Sequence, residues 1–183
     1  MTTLSLLAEE VGVHERTLRR AVNQGALHAS RPTPRTLELS LPESQFVRRS
    51  WPLLAALRNA LRTEHNVRFA LLFGSTATGA EGPTSDVDVL VDLRDASLER
   101  VVDLETKLSA AIGRPVDVIR LEDAERDPLF LAEVLAQARV VVDRSDQWRR
   151  LRRREPSLRR RGRKQQGERT KSALAGIDQF LAS

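Results

Sequence analysis

Between residues 67 and 143 short apolar runs alternate with amphipathic stretches, and this alternation limits the fold more than any other feature. VRFALLF (67–73), DVDVLVDL (86–93), PVDVIRL (115–121) and RVVVD (139–143) have strand length and are rich in Val, Leu and Ile. LERVVDLETKLSAAIG (98–113) repeats apolar residues at helical spacing and stops at Gly113, and LFLAEVLAQA (129–138) reads as another helix. Strands separated by helices predict an α/β unit, a sheet covered by helices.

One of these strands carries charge where none is expected. FGSTATGAEGPTSDVDVLVD (73–92) sets Asp86 and Asp88 within an apolar run. Alternate strand residues share a face, so the two carboxylates project together, about 6.5–7 Å apart along the chain. A carboxylate in an apolar setting is costly without a compensating cation, here a nearby arginine or a metal ion. Asp117, in PVDVIRL, is a third acid of the same kind. If its strand neighbours DVDV, three carboxylates converge at one end of the sheet. Magnesium suits such a place, because it binds through one or two carboxylates plus substrate phosphates. Gly74-Ser75 leaves the preceding strand with room for close backbone approach, a hydroxyl and an N–H at a helix start. A plainer reading stands beside this one: Asp86 as a turn residue, and Asp117 as an edge residue ion-paired to Arg114 or Arg120.

Gly74-Ser75, ten residues, Asp86-x-Asp88 and the later Asp117 resemble the minimal nucleotidyltransferases of the DNA polymerase β superfamily, over about residues 66–143. The resemblance implies a polymerase-β-type nucleotidyltransferase fold, α/β (α+β), with a mixed sheet flanked by helices. It implies that Asp86 and Asp88 hold metal, that Asp117 is a further ligand or the base for the incoming hydroxyl, and that Gly74 and Ser75 touch the triphosphate. Mg²⁺ would be the cofactor and ATP, or another NTP, the substrate. AMP or another NMP would pass to an acceptor hydroxyl with release of pyrophosphate.

Small domains of this type most resemble the antitoxin half of HEPN/minimal-nucleotidyltransferase toxin–antitoxin pairs. That implies a HEPN-type partner toxin whose hydroxyl, often a tyrosine's, is the acceptor. This sequence has no Tyr and cannot modify itself on one. Transfer to a small molecule such as an aminoglycoside, transfer to an RNA end, and a non-enzymatic DNA-binding regulator that senses nucleotide remain open alternatives. Two departures stand out. Many relatives carry an aromatic and an Arg after Gly-Ser, where this chain has Thr76 and Thr78, and Gln137-Ala138 replaces a frequent Glu-Gly.

The first 65 residues are organised differently. Leu4, Leu7, Ala8 and Val11 fall at helical spacing and Gly12 closes that helix; His14–Asn23 predicts a second, with Leu18 and Val22 inward. Residues around Arg31-Pro32-Thr33-Pro34-Arg35 read as a hairpin tip. A longer helix from Pro42 carries Phe46, Trp51, Leu54, Leu57 and Leu61, and Pro52 is expected to kink or split it. LSLLAEEVGVHERTLRRAVNQGAL resembles the helix-turn-helix of winged DNA-binding domains related to excisionases and MerR-type regulators, over about residues 3–40. The implied division is a winged helix-turn-helix at 1–50, a connecting helix at 51–65 and the nucleotidyltransferase domain at 66–143. Arg16, Thr17, Arg19, Arg20, Arg31 and Arg35 would then meet duplex DNA. A protein-binding winged helix is the alternative.

Net charge is +3 over residues 1–65, −7 over 66–143 and +9 over 144–183. Ten of the residues from Arg149 to Lys164 are basic, which predicts a solvated, partly disordered tail over 144–183. Such a tail would be drawn only weakly to the acidic middle, and its removal should leave the melting temperature nearly unchanged. Leu174, Ile177, Phe180 and Leu181 suggest a short terminal helix. With no cysteine, disulfides and thiolate zinc sites are excluded. No apolar run approaches the ~20 residues of a membrane span, and MTTLSLLAEEVG lacks the basic start of a signal peptide, so a cytoplasmic protein is expected. His14, His28 and His65 show no ligand spacing.

Overall fold

The computed structural model describes residues 2–33, 36–82 and 85–181. In chain order, β1 (Thr2–Thr3) leads into α1 (Leu4–Glu10) and α2 (Glu15–Asn23), followed by β2 (Glu38–Leu39) and α3 (Leu41–Thr63). The second part runs β3 (Val67–Phe73), α4 (Gly74–Thr78), β4 (Val87–Leu93), α5 (Leu98–Ile112), β5 (Val116–Arg120), α6 (Leu121–Ala124), α7 (Pro128–Gln137), β6 (Arg139–Asp143) and α8 (Gln147–Leu181). The four predicted strands form one sheet in the order β5-β4-β3-β6. Only β4 and β5 are parallel, so the sheet is mixed.

Alternation along β4 decides which layer each residue joins. Val87, Val89 and Val91 point to one face and pack with α3 and α5, while Leu90 points to the other, against α6 and α7. That alternation carries a consequence for the acids. Asp86, Asp88 and Leu90 share one parity, so the carboxylates continue the α7 face beyond its apolar part.

The head is not a separate ball on a string. Leu7, Leu18, Leu27, Leu39 and Phe46 belong to the same apolar cluster as Val67, Val89 and Leu104. A buried ion pair adds to that seam. Arg139 of β6 meets Glu43 of α3 twice, at 2.5 and 3.0 Å, donates to the Ala77 carbonyl at 2.6 Å, and lies 3.3 Å over the Phe46 ring. Glu43 also accepts the His28 backbone N–H at 2.9 Å. The desolvation cost of two charges is offset by a bidentate geometry that leaves few valences unmet.

Three expectations change here. Pro52 neither splits nor ends α3, which runs unbroken from Leu41 to Thr63. Its ring faces outward, where water can satisfy the carbonyl it leaves unpaired. The hairpin after Leu27 is reduced to one bridge, Ser30 with Glu38, and β2 pairs instead with β1. Pro34 and Arg35 lie outside the described residues. The largest change is at the tail. Residues 147–181 form one helix, and Leu151 and Leu158 are 0% and 2% exposed against α7. Two leucines seven apart lie on one side of a helix, and the intervening arginines extend from its other sides into water. Gly162 is on the same seam, its Cα so near Leu129 that a Cβ would lie 2.5 Å from that backbone. The side chains of Leu174, Ile177, Phe180 and Leu181 lie outside the described set.

Candidate active site

The antiparallel β3–β4 pair ends with Phe73 opposite Asp88, and the parallel β4–β5 pair sets Asp88 beside Asp117. Register neighbours on adjacent strands lie about 4.8 Å apart and point the same way. Asp86, two residues before Asp88, completes a group of three carboxylates at the end of the sheet where β3 passes into α4. Asp86 and Asp117 are exposed and Asp88 is half-buried.

Electrostatics set this cluster apart from ordinary surface acids. Asp88 is held above the usual carboxylate range, first by burial and then by the charges of Asp117 and Asp86. The ion-paired reading of Asp117 fails. Arg120 turns to Asp123 and Glu122, each at 2.6 Å, and Arg114 donates to the Ser85 carbonyl. Among the described residues none of the three acids has a basic partner within 4 Å. Like charges gathered without compensation fit a hard cation. Yet among the described residues no three acid, His or Cys side chains are grouped so as to hold a metal ion by themselves.

Gly74 is required by both conformation and space. Its φ is +70°, and a Cβ there would stand 2.1 Å from Asp88 Oδ2. The glycine lets the Asp88 carboxylate lie directly against the backbone that opens α4. No side chain caps α4, so its first N–H groups lack that kind of acceptor. Ser75, half-buried, is the second residue of this turn.

Two positioning residues escaped the sequence reading. Thr76, noted only as a departure from relatives, is buried and its hydroxyl donates to the Asp86 carbonyl at 3.3 Å. Arg114, considered only as an ion-pair partner, clamps the neighbouring Ser85 carbonyl. Together they fix the backbone on which Asp86 sits. A Thr after Gly-Ser gives no such signal, because its acceptor is ten residues away and brought near only by the β3–β4 pairing.

The head residues form no part of this group. Arg16, Thr17 and Arg20 are exposed on α2, Arg19 is paired with Glu15 at 2.6 Å, and Arg31 donates to Asn23 at 2.5 Å. Arg35 is outside the described residues. His14 caps α2, accepting the Arg16 N–H at 3.1 Å, which accords with a structural role.

A mixed sheet with this acid cluster, Gly74 and the α4 turn defines a nucleotidyltransferase. Residues 56–147 match the family described as polymerase beta, nucleotidyltransferase, and the chain belongs to that family. Two relatives come from Methanocaldococcus jannaschii, both provisionally named protein adenylyltransferases. One is 34% identical over 80 residues, 43% of this chain and 84% of the relative. The other is 34% identical over 68 residues, 37% of this chain and 69% of the relative. Among solved structures, a toxin–antitoxin with AMP-PNP is 20% identical, covering 70% of this chain and 98% of the other at a TM-score of 0.48. An MNT antitoxin with tri-AMPylated Shewanella oneidensis HEPN toxin is 18% identical, covering 72% and 98% at a TM-score of 0.45. No helix among the described residues is long and apolar enough to cross a membrane.

Proposed function

We propose that this nucleotidyltransferase moves AMP from ATP to a hydroxyl on a partner protein, as the antitoxin of a HEPN-type pair, with Mg²⁺. The observation that carries the reading is the uncompensated trio Asp86, Asp88 and Asp117, of which Asp88 lies against Gly74. Asp86 and Asp88 would hold Mg²⁺, which when bound neutralises charge on the phosphates. Gly74 and Ser75 place backbone N–H groups and a hydroxyl beside the triphosphate. Asp117 stands on the neighbouring strand, exposed, where its carboxylate can take the proton of the acceptor hydroxyl. The hydroxyl oxygen bonds to the α-phosphorus, the bond from that phosphorus to the β-phosphate bridge oxygen breaks, and pyrophosphate leaves. The names of the M. jannaschii relatives support a protein acceptor, and the absence of Tyr from this sequence directs tyrosine modification to another chain.

The test is incubation of the full chain with Mg²⁺, a HEPN-type partner and ATP labelled at either the α- or the γ-phosphate. Label from the α-position, and not the γ, should appear on the partner and vanish with Asp86→Asn or Asp88→Asn. Undiminished transfer by both variants refutes the assignment; transfer only to an aminoglycoside or RNA end replaces the acceptor. A second reading, duplex DNA binding by the head, is favoured by the α1–turn–α2 geometry. Gly12 takes φ +68° in that turn, and α2 shows Arg16, Thr17 and Arg20 to solvent.

A further inference from the structure

A cavity of about 980 Å³ lies away from the acids. It lies between α2, α3, β6 and the start of α8, beside the edge strand of the sheet. Its walls hold Arg20, Arg58, Arg62, Arg144 and Arg149 against two acids, Asp143 and Asp146. One charge of each sign is already engaged by neutral backbone groups. Asp143 is occupied, accepting the N–H groups of Ser145, Gln147 and Trp148 at 3.0–3.1 Å. Arg144 is also occupied, by the carbonyls of Leu61, Arg62, Glu64 and Val67. Arg20, Arg58, Arg62 and Arg149 have no carboxylate partner among the described residues. Arg58 bonds only neutral oxygens, of Gln24 and Val140, and its pKa is lowered by burial and by the facing charge of Arg20.

The shape says what kind of anion belongs there. One wall is the outward side of α2, with Thr17, Arg20 and Asn23. Arg58 and Arg62, one turn apart on α3, form a basic stripe beside it. A helix about 10–12 Å across fills a duplex major groove about 12 Å wide, so whatever flanks the helix meets a phosphate ridge. Base stacking on a single strand is disfavoured. Trp51 is 7% exposed, and Trp148 is covered by Gly25 and by the Arg152 guanidinium 5.5 Å from its ring.

We propose that this groove seats one phosphate ridge of duplex DNA whose major groove receives α2, with Arg58, Arg62 and Arg149 as phosphate contacts. This rests on the reading of α2 as the DNA-facing helix, and it adds contacts from α3 and α8 that lie outside the head. The test is fluorescence anisotropy of the full chain on a labelled random-sequence duplex across a salt series. Single-stranded RNA of equal length and the variants Arg62→Ala/Arg149→Ala and Arg16→Ala run alongside. Arg62 and Arg149 are exposed and make no side-chain hydrogen bond among the described residues, so the double variant should keep its melting temperature and its nucleotidyl transfer. The expected result is duplex binding whose slope of log affinity against log salt falls in magnitude by about two in the double variant. An unchanged slope, with binding weakened by Arg16→Ala, overturns the groove and leaves the α2 reading standing. Absence of duplex binding at low salt overturns both, and RNA binding in its place assigns the groove to RNA.

Discussion

Gly74→Ala separates the geometry of the acid cluster from its mere presence. The new Cβ would lie 2.1 Å from Asp88 Oδ2 and 3.0 Å from its Cγ. Ordinary heavy-atom contact begins near 3.5 Å, so the carboxylate must retreat by about 1 Å or more. A displacement of that size in a catalytic constellation costs about 10²-fold in rate. The backbone adds a second effect, because φ is +70° and an L side chain there costs about 1–2 kcal/mol. In a chain of this size that lowers the melting temperature by about 2–8 °C. Gly12→Ala is the matched control, with φ +68° and nothing within 4 Å of its Cβ. Both variants should lose similar stability by differential scanning calorimetry. Only Gly74→Ala should lose AMP transfer, followed as α-phosphate label on the acceptor below the melting range. Transfer by Gly74→Ala within a few-fold of the parent would show that Asp88 is not held where the chemistry needs it. Equal loss in Gly12→Ala would mean that stability alone limits the rate.

Asp88→Asn should raise the melting temperature at pH 7 without divalent metal. The folded pKa of Asp88 is raised, so the stability tied to its protonation is present at acid pH and lost as pH climbs through that value. The gain should therefore vanish below the ordinary carboxylate range, and Mg²⁺ should stabilise the parent more than the variant; a lower melting temperature at pH 7 would refute this. Leu158→Ala, which empties a site 2% exposed, should cost about 2–5 kcal/mol in urea unfolding. A chain ending after Arg144 should fail to fold cooperatively, against the sequence-based expectation for the tail.

The local pattern determined the four strands and set two acids at the start of one of them. Short runs rich in Val, Leu and Ile marked β3, β4, β5 and β6, and the Gly-Ser turn and the spacing of Asp86 and Asp88 follow from covalent neighbours. That Asp117 joins them depended on β4 and β5 being adjacent and in register, which the sequence supported only through its resemblance. Tertiary structure decided what rests on non-local neighbours. Arg139 looks like any strand-start arginine until Glu43, 96 residues away, meets it in the core. Thr76 becomes a support for Asp86 only once β3 and β4 pair. The α8 run reads as solvated because arginines outnumber leucines. A helix needs only one apolar seam to dock, and whether Leu151 and Leu158 find a partner depends on α7 lying opposite them. Charge counts are additive along a chain, whereas burial is a property of pairs of surfaces, and only the folded arrangement supplies the second surface.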